Sequence, residues 1–379
     1  MRIALVSSGY APNIGGLEQV TRALAHEWKQ KGHDVRVVTN RSSRKLLPRE
    51  VIDGTPVYRG YFVWGFSGFG IKSWLKWFAQ CALFPNALWT LWTELNPSHV
   101  DVVHLHYIGP LAWWGALTAR MRSLPVIATV HGSDLLGDGS ASPSARFVFR
   151  STLKFSCRIT TVSRFMMREL EKMIPQTRGN VAVISNGFDD STLRRVEAHP
   201  SKRPYGICVG RFIRQKRQAL LVAALDFMGP DDPGFDFIFV GDGPMLAGAK
   251  ALVDKSSVRD HILFRGALER SETLSLVKGA SFVAIASEYE SFCLVALEAR
   301  FFSRPVVTFR RGALPEVLED YPGAVWAERE TAESLARGMK ETMRLGAITD
   351  VQPTPFSSWA EIADAYIKLF TETLAAQKP

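Results

Sequence analysis

The sequence predicts an α/β protein of two Rossmann-like domains, and three observations predict it. The chain has 379 residues, which suits two α/β domains better than one. Short apolar runs alternate with stretches of helical spacing from Arg2 onward, and the alternation restarts at Tyr205 after a polar stretch. Phe282 to Ala286 reads as a buried parallel strand, followed by a short loop and then a helical apolar run without Gly or Pro until Pro305. The expected domains are 1–189 and 205–356. Residues 190–204, with several charges and two prolines, are the expected linker between them.

Arg2 to Ser7 is the expected first strand. The loop from Ser8 to Gly16 follows, then a helix burying Val20, Ala23, Leu24 and Trp28 and stopped by Gly32. Asp34 to Thr39 is the second strand. Gly15-Gly16-Leu17-Glu18 is not G-x-G-x-x-G, so the dinucleotide fingerprint is absent; a paired glycine at a helix start fits a phosphate or a simple tight turn equally well. Further strands are expected at 101–105, 125–130, 158–162 and 181–185, with Ser163 opening a helix. His104, His106 and His131 stand at strand ends but lack ligand spacing, so satisfied structural histidines are the default expectation over a metal site. In the second half, strands are expected at 205–209, 236–240, 262–264 and 305–307. A final amphipathic helix spans Ser358 to Ala376, with Trp359, Ile362, Tyr366, Ile367 and Phe370.

The loop after Ala286 carries Glu290, and the helix is expected to start near Ser291. Beyond the carboxyl end of a strand is where ligands bind in open α/β sheets, and free N–H groups at a helix start suit a phosphate. Glu298 lies two turns on, inside an apolar run. A carboxylate there needs a partner, such as a ligand hydroxyl. The competing reading is a helix with one capping charge and one charge satisfied by a neighbour.

Glu290, seven residues, then Glu298 resembles the E-x7-E signature of retaining glycosyltransferases of family 4, which have the GT-B architecture. Gly15-Gly16-x-Glu18, Gly210-Arg211 with Lys216, Gly241-Asp242-Gly243-Pro244 and Gly312-Ala313-Leu314-Pro315-Glu316 resemble that family's motifs in the same order, and the likeness spans nearly the whole chain. The resemblance implies two domains facing across a cleft, with the helix at 357–379 packing back on the first. It implies that Glu290 contacts the donor sugar and Glu298 the ribose, that Gly15 and Gly16 lie against the diphosphate, and that Arg211 and Lys216 neutralise it. His131, in an H-G-x-D context with Asp134, would reach the donor sugar and the reacting centre. Phe292, Cys293, Leu294 and Ala267 would complete the donor site. Here Ser291 and Cys293 replace the glycines of the usual E-G-F-G, leaving less room for close backbone approach.

The reaction so implied is transfer of a hexosyl group from a nucleoside-diphosphate sugar, with retention. There is no D-x-D in the chain, so no metal cofactor is expected. Alternatives are a small soluble acceptor, a nucleotide-sugar epimerase or phosphorylase of the same architecture, and a non-catalytic nucleotide-sugar-binding protein.

The formal charge of +9 admits nucleic acid, an anionic membrane face or anionic substrates, but no nucleic-acid-binding motif is present. Cys81, Cys157, Cys208 and Cys293 are scattered and read as buried thiols in a reducing compartment. No signal peptide is visible ahead of the first strand. Residues 61–95 are unusually aromatic. Trp74, Trp77, Phe78, Cys81, Leu88, Leu91, Trp92 and Leu95 fit one helical stripe, while Leu75, Leu83 and Trp89 fall outside it. The charge-free run 77–93 is at the lower limit for a span, roughly 17 residues, and contains Gln80, Pro85 and Asn86. A segment lying in the interface is expected, with Trp64 and Phe66 beside it and Lys72, Lys76, Arg41, Arg44, Lys45 and Arg49 toward anionic headgroups. The expected acceptor is a lipid-linked sugar or glycolipid, reached by a peripheral enzyme on the cytoplasmic face of the membrane.

Overall fold

The computed structural model describes residues 1–13, 15–43, 45–62, 84–137, 142–229, 234–349 and 356–377. The expected roles of Arg44, Trp64, Phe66, Lys72, Trp74, Leu75, Lys76, Trp77, Phe78, Gln80, Cys81 and Leu83 fall outside these residues. The chain forms two compact units, Met1–Gly187 with Ser357–Pro379, and Phe188–Phe356.

The first unit contains an eight-stranded sheet. Its strands are β1 (Arg2–Ser7), β2 (Asp34–Asn40), β3 (Arg49–Ile52), β4 (Thr55–Gly60), β5 (Val102–His106), β6 (Val126–Val130), β7 (Arg158–Thr161) and β8 (Val181–Val183), in the order β3-β4-β2-β1-β5-β6-β7-β8. The pairings are parallel except β3 with β4, an antiparallel hairpin turned by Asp53 and Gly54, both at positive φ. The central strands are buried on both faces, which is why they read as continuous apolar runs. Its helices are α1 (Gly16–Gln30), α2 (helical over 84–94), α3 (Pro110–Met121), α4 (Ser133–Leu136), α5 (Pro143–Phe155) and α6 (Arg164–Met173). Ser163 caps α6 by accepting from the Met166 N–H, 3.2 Å.

The second unit holds α7 (Asp190–Arg195) and six parallel strands: β9 (Tyr205–Val209), β10 (Asp236–Val240), β11 (Ile262–Gly266), β12 (Phe282–Ile285), β13 (Val306–Thr308) and β14 (Ala324–Trp326). Their order is β11-β10-β9-β12-β13-β14, reversing direction between β9 and β12. The helices are α8 (Gln218–Met228), α9 (Leu246–Val253), α10 (Arg270–Gly279), α11 (Leu294–Phe301), α12 (Leu314–Leu318) and α13 (Ala332–Leu345). Residues 190–195, read from sequence as linker, are helical because Asp189 accepts from the Thr192 N–H and Asp190 pairs with Arg194 one turn on.

The last helix, α14 (Trp359–Ala375), belongs to the first unit. Ser358 and Glu361 close a capping box at its start. Trp28 of α1, fully buried, donates its Nε1–H to the Ala363 carbonyl at 3.1 Å and packs against Tyr366 and Phe370. Gly187 lies so close that a Cβ there would meet the Trp359 backbone at 2.8 Å. Among the described residues, no helix is long and apolar enough to cross a membrane.

In α2, the stripe expected to lie in an interface is divided: Leu91 and Leu95 are buried, whereas Trp92 is 40% exposed, and Trp89, outside the stripe, is 64% exposed. The reason lies on the inner side, where Glu94 is buried beside Arg36 at 3.3 Å and Ala87 is buried too. Trp92 instead lies under the Arg122 guanidinium, 3.9 Å from its ring centre.

Candidate active site

In the second unit, three loops leave the carboxyl ends of β9, β10 and β12 around the point where the strand order reverses. The loop Ser287–Cys293 carries Glu290, which is 5% exposed. Its Oε1 accepts from Lys216 Nζ at 2.5 Å and from Ser287 Oγ at 2.6 Å. The backbone fixes the position. Glu288 N–H donates to the Gln215 carbonyl, Gln215 Nε2 donates to the Tyr289 carbonyl, and Ala313 N–H donates to the Glu290 carbonyl, at 2.8, 2.8 and 2.7 Å. Gly312 is required for this last contact: its φ is +61° and a Cβ would stand 2.3 Å from the Glu290 oxygen. The β9 loop is locked in the same way, because a Cβ on Gly241 would meet the Gly210 carbonyl at 2.0 Å. Gln218 Nε2 donates to the Arg211 carbonyl at 2.9 Å, while the Arg211 residue itself is exposed.

Burial, the largest single influence, would lower the Lys216 pKa, but Glu290 together with Cys293 and Cys208 turns the net shift upward. Lys216 is therefore a cation held beside a carboxylate. A diphosphate arriving here would meet Lys216 and the exposed Arg211, a point charge and a planar fork.

The sequence places a helix start near Ser291, but α11 begins at Leu294. Cys293 takes φ 78°, ψ 77°, a left-handed conformation that no helix continues and that costs a non-glycine residue about 1–3 kcal/mol. Glu290 therefore sits in the loop, four residues ahead of the helix. Phe292 is buried against Phe356, ring centres 5.5 Å apart; Cys293 and Leu294 are half-buried, and Ala267 is exposed just after β11.

Glu298 is 4% exposed, and its partner is a side chain of the protein. Arg270, at the start of α10, places Nη1 2.8 Å from Glu298 Oε1. Burial raises the Glu298 pKa and Arg270 works against that rise. The partner that a buried carboxylate needs is thus, for one of its oxygens, the neighbouring Arg270.

In the first unit, the loops after β1, β5 and β6 surround the corresponding reversal between β1 and β5. Glycines of the first loop make room for Glu18: a Cβ on Gly9 would meet its Oε1 at 2.3 Å, and one on Gly15 would meet its Oε2 at 2.4 Å. Gly16 opens onto free space and starts α1. His131 follows β6. Asp134, buried, accepts from the backbone N–H groups of Ile108, His131 and Gly132 at 3.0, 3.2 and 2.7 Å. It holds the backbone around His131 and ties the β5 and β6 loops together. The His131 ring is held from the other side, its Nε2 2.8 Å from His106 Nδ1. Burial of the ring pulls the His131 pKa down to about 4, and His104 and His106 are also lowered well below the ordinary value, by burial first and then by neighbouring histidine charge, that of His131 on His104 and those of His104 and His131 on His106.

Sequence reasoning missed Ser287, Gln215, Arg270 and Thr129. Ser287 and Gln215 are ordinary polar residues near a motif. Arg270 is far from Glu298 in sequence, and only the α10–α11 packing joins them. For the histidines a signal existed: His104 and His106 alternate by two on one strand and so share a face.

Comparison with known proteins follows the same division. The profile of Glycosyltransferase Family 4 matches residues 14–192, and that of Glycosyl transferases group 1 matches residues 189–350. The chain is 24% identical over 321 residues to the N-acetyl-alpha-D-glucosaminyl L-malate synthase of Bacillus anthracis, covering 81% of this chain and 79% of that one. It is 26% identical over 325 residues to a phosphatidylinositol N-acetylglucosaminyltransferase component from Arabidopsis thaliana, covering 84% and 70%. In one archaeal glycosyltransferase the match covers less than two thirds of that protein, 65%. Among solved structures, Anabaena HepE in complex with UDP and glucose superposes with a TM-score of 0.72 at 17% identity, covering 98% of this chain and 99% of that one.

The buried histidines make stability depend on pH. Their folded pKa values lie below the unfolded value near 6.5, so the unfolded chain binds more protons below that pH. Their contribution is present above the unfolded value near 6.5 and is lost as the pH falls toward the folded values, about 4 for His131. The thermal midpoint should therefore drop steadily from pH 7 to pH 5, above the range where ordinary carboxylates titrate. A flat midpoint over that range would mean that these rings charge freely in the folded protein.

Proposed function

Because the chain belongs to the family 4 glycosyltransferases of GT-B architecture, we propose that it is a retaining, metal-independent hexosyltransferase that moves a sugar from a nucleoside diphosphate to a lipid-linked or glycolipid acceptor in envelope polysaccharide or glycolipid synthesis. The observation that carries the transfer reading is the buried Glu290, fixed by Lys216 and Ser287 at the sheet's reversal point. Glu290 has a second oxygen for a sugar hydroxyl, and Lys216 with Arg211 stabilises the departing diphosphate. Glu298, paired with Arg270 through one oxygen, presents the other to ribose hydroxyls. His131 acts on the donor sugar near the reacting carbon. A solved neighbour binds UDP and glucose, which supports a nucleotide-sugar donor.

The lipid reading rests on the exposed Trp89 and Trp92 with Arg122 stacked on Trp92, and on the exposed Met121 at the end of α3. The Arabidopsis relative, named for phosphatidylinositol, supports it. The Bacillus relative, named as a malate synthase, favours the second reading, a small soluble acceptor.

Four outcomes are expected. With a panel of nucleotide sugars, Glu290→Ala should lose most turnover while still binding the nucleoside diphosphate. Glu298→Ala should weaken that binding by about 1.5–3 kcal/mol, the worth of a hydrogen bond to a charged group. Calorimetric titration and steady-state rates separate the two, and normal turnover by a folded Glu290→Ala chain would remove Glu290 from the mechanism. Turnover should also survive excess EDTA, because side-chain cations take the place of a metal; loss of activity that magnesium or manganese restores would refute this. Finally, the protein should co-sediment with anionic liposomes, less so at high salt and less so when Trp89 and Trp92 are both changed to Ser. No binding at low salt, with full activity on a water-soluble acceptor, would establish the second reading.

A further inference from the structure

Two of the loops that hold Glu290 carry a second ion cluster, which the proposed reaction does not use. Arg217 follows Lys216 directly and stands at φ 52°, ψ 38°, where the turn Arg214–Lys216 ends and α8 begins. A glycine takes this left-handed conformation freely, whereas a residue with a side chain is strained in it. The side chain that is present has two partners. Its Nη1 donates to Glu330 Oε2 at 2.5 Å, and its guanidinium lies 5.6 Å from the centre of the Phe309 ring. Arg311, directly before Gly312, donates from Nε to the other Glu330 oxygen, Oε1, at 2.5 Å, and its Nη2 reaches the same atom. Glu330 lies between β14 and α13, next to Thr331, whose side chain caps α13. One carboxylate thus joins three loops, with one oxygen turned to each arginine.

These contacts close a ring with those of the site. From Glu290 it passes to Lys216 through the side chains, along the chain to Arg217, and across to Glu330 and Arg311. It returns along the chain to Gly312 and Ala313, whose N–H donates to the Glu290 carbonyl at 2.7 Å. The covalent links in it are single peptide bonds, so a shift of either arginine passes to the support of Glu290 with little slack. An isolated surface ion pair would contribute little. Here one carboxylate serves two guanidiniums on separate loops, and removing its charge leaves two cations side by side with nothing between them. The Arg217 hydrogen bond first, and then that of Arg311, hold the Glu330 carboxyl below the ordinary carboxylate range against burial, so it is charged at neutral pH.

We infer that Glu330 is a positioning residue for the Glu290–Lys216 pair: by holding Arg217 and Arg311 it fixes the β9 and β13 loops at the spacing that keeps Lys216 on Glu290. Its consequence for catalysis rests on the proposed role of that pair; the coupling of the loops does not. The clamp accounts for a strained arginine directly after Lys216, where glycine would cost nothing. It also sets an unusual signature. Without Glu330, Arg211 and Lys216 remain for the diphosphate and two further cations are released nearby, so nucleotide binding is spared. What is lost is the preorganised placing of Lys216 against Glu290, on which turnover depends.

The test uses the full chain, with a panel of nucleotide sugars for turnover and UDP, ADP and GDP in calorimetric titration for binding. Glu330→Gln keeps the shape and removes the charge. It should lower kcat about tenfold, the effect of a slightly misplaced charge-stabilising group, with the Kd of the nucleoside diphosphate little changed. Arg217→Gly removes the side chain and the backbone strain together. Its thermal midpoint should hold or rise, while its kcat falls as far as that of Glu330→Gln. The doubly changed chain should be no slower than either, because both changes open the same ring. Unchanged kcat in a folded Glu330→Gln chain, affinity lost in step with kcat, or losses that add in the double variant would each overturn the inference. Arg217→Gly decides where Glu330→Gln does not fold. Without any substrate, amide hydrogen exchange followed by mass spectrometry should quicken in segments 286–293 and 309–316 of both variants and stay as it was in β1. If the unaltered protein turned over no donor, the proposed function would fail and exchange would decide, with unchanged rates in those two segments overturning the clamp.

Discussion

A carboxylate taken out of water costs several kcal/mol unless it is paired and hydrogen-bonded, and Glu290 is such a carboxylate. Much of the local architecture around it answers that cost. Lys216 supplies the opposite charge and Ser287 a hydroxyl, both to the same oxygen. Neither would suffice if the loop could move. Gln215 and Ala313 therefore hold the loop by its backbone, and Gly312 lets the Glu290 carbonyl approach closer than any side chain would allow. A carboxylate so held needs little reorganisation when a ligand arrives, which is the kind of preorganisation a charge-stabilising site requires.

The first unit answers the same cost by the opposite means. It buries its candidate reactive ring uncharged. Three imidazoles with lowered pKa values satisfy one another and end on hydroxyls, so no ion is buried along the line. The buried carboxyl group nearby, Asp134, is met by three backbone N–H groups and holds the chain around His131 without touching its ring. The line of polar groups reaches Tyr366, which α14 brings from the far end of the sequence. The late helix thus contributes to the interior of the first sheet as well as covering it, and this explains why its inner face carries Tyr as well as Phe and Ile.

The sheets are legible in the sequence because strands buried on both faces are continuous apolar runs, and the glycines at close approaches are legible as motifs. What fails does so for local reasons. Helical spacing cannot show that Cys293 is left-handed, so it puts the start of α11 three residues early. It cannot show that Asp189 and Arg194 make a helix of residues 190–195. The hairpin at Asp53-Gly54 carries its turn signature in plain view. Partners distant in sequence are invisible in principle: Arg270 for Glu298, and Thr129 and Tyr366 for the histidines. Spacing restricts which face of an element a residue occupies, whereas a hydrogen bond needs the neighbouring element and its register.

Trp92 shows the same limit acting on function. Hydrophobic spacing puts it on one helical stripe with Leu91 and Leu95, so that all three would face the same way. The helix is instead rotated by its polar obligation: Glu94 must reach Arg36, so the face carrying Glu94 turns inward with Leu91 and Leu95. Trp92 and Trp89 are then left toward solvent, one of them capped by a cation. Two exposed indoles with one cation over them are the surface that the proposed lipid contact would use. Indoles with an arginine suit the boundary between headgroups and acyl chains better than a dry protein interface, because that boundary accepts the ring body and the charge together.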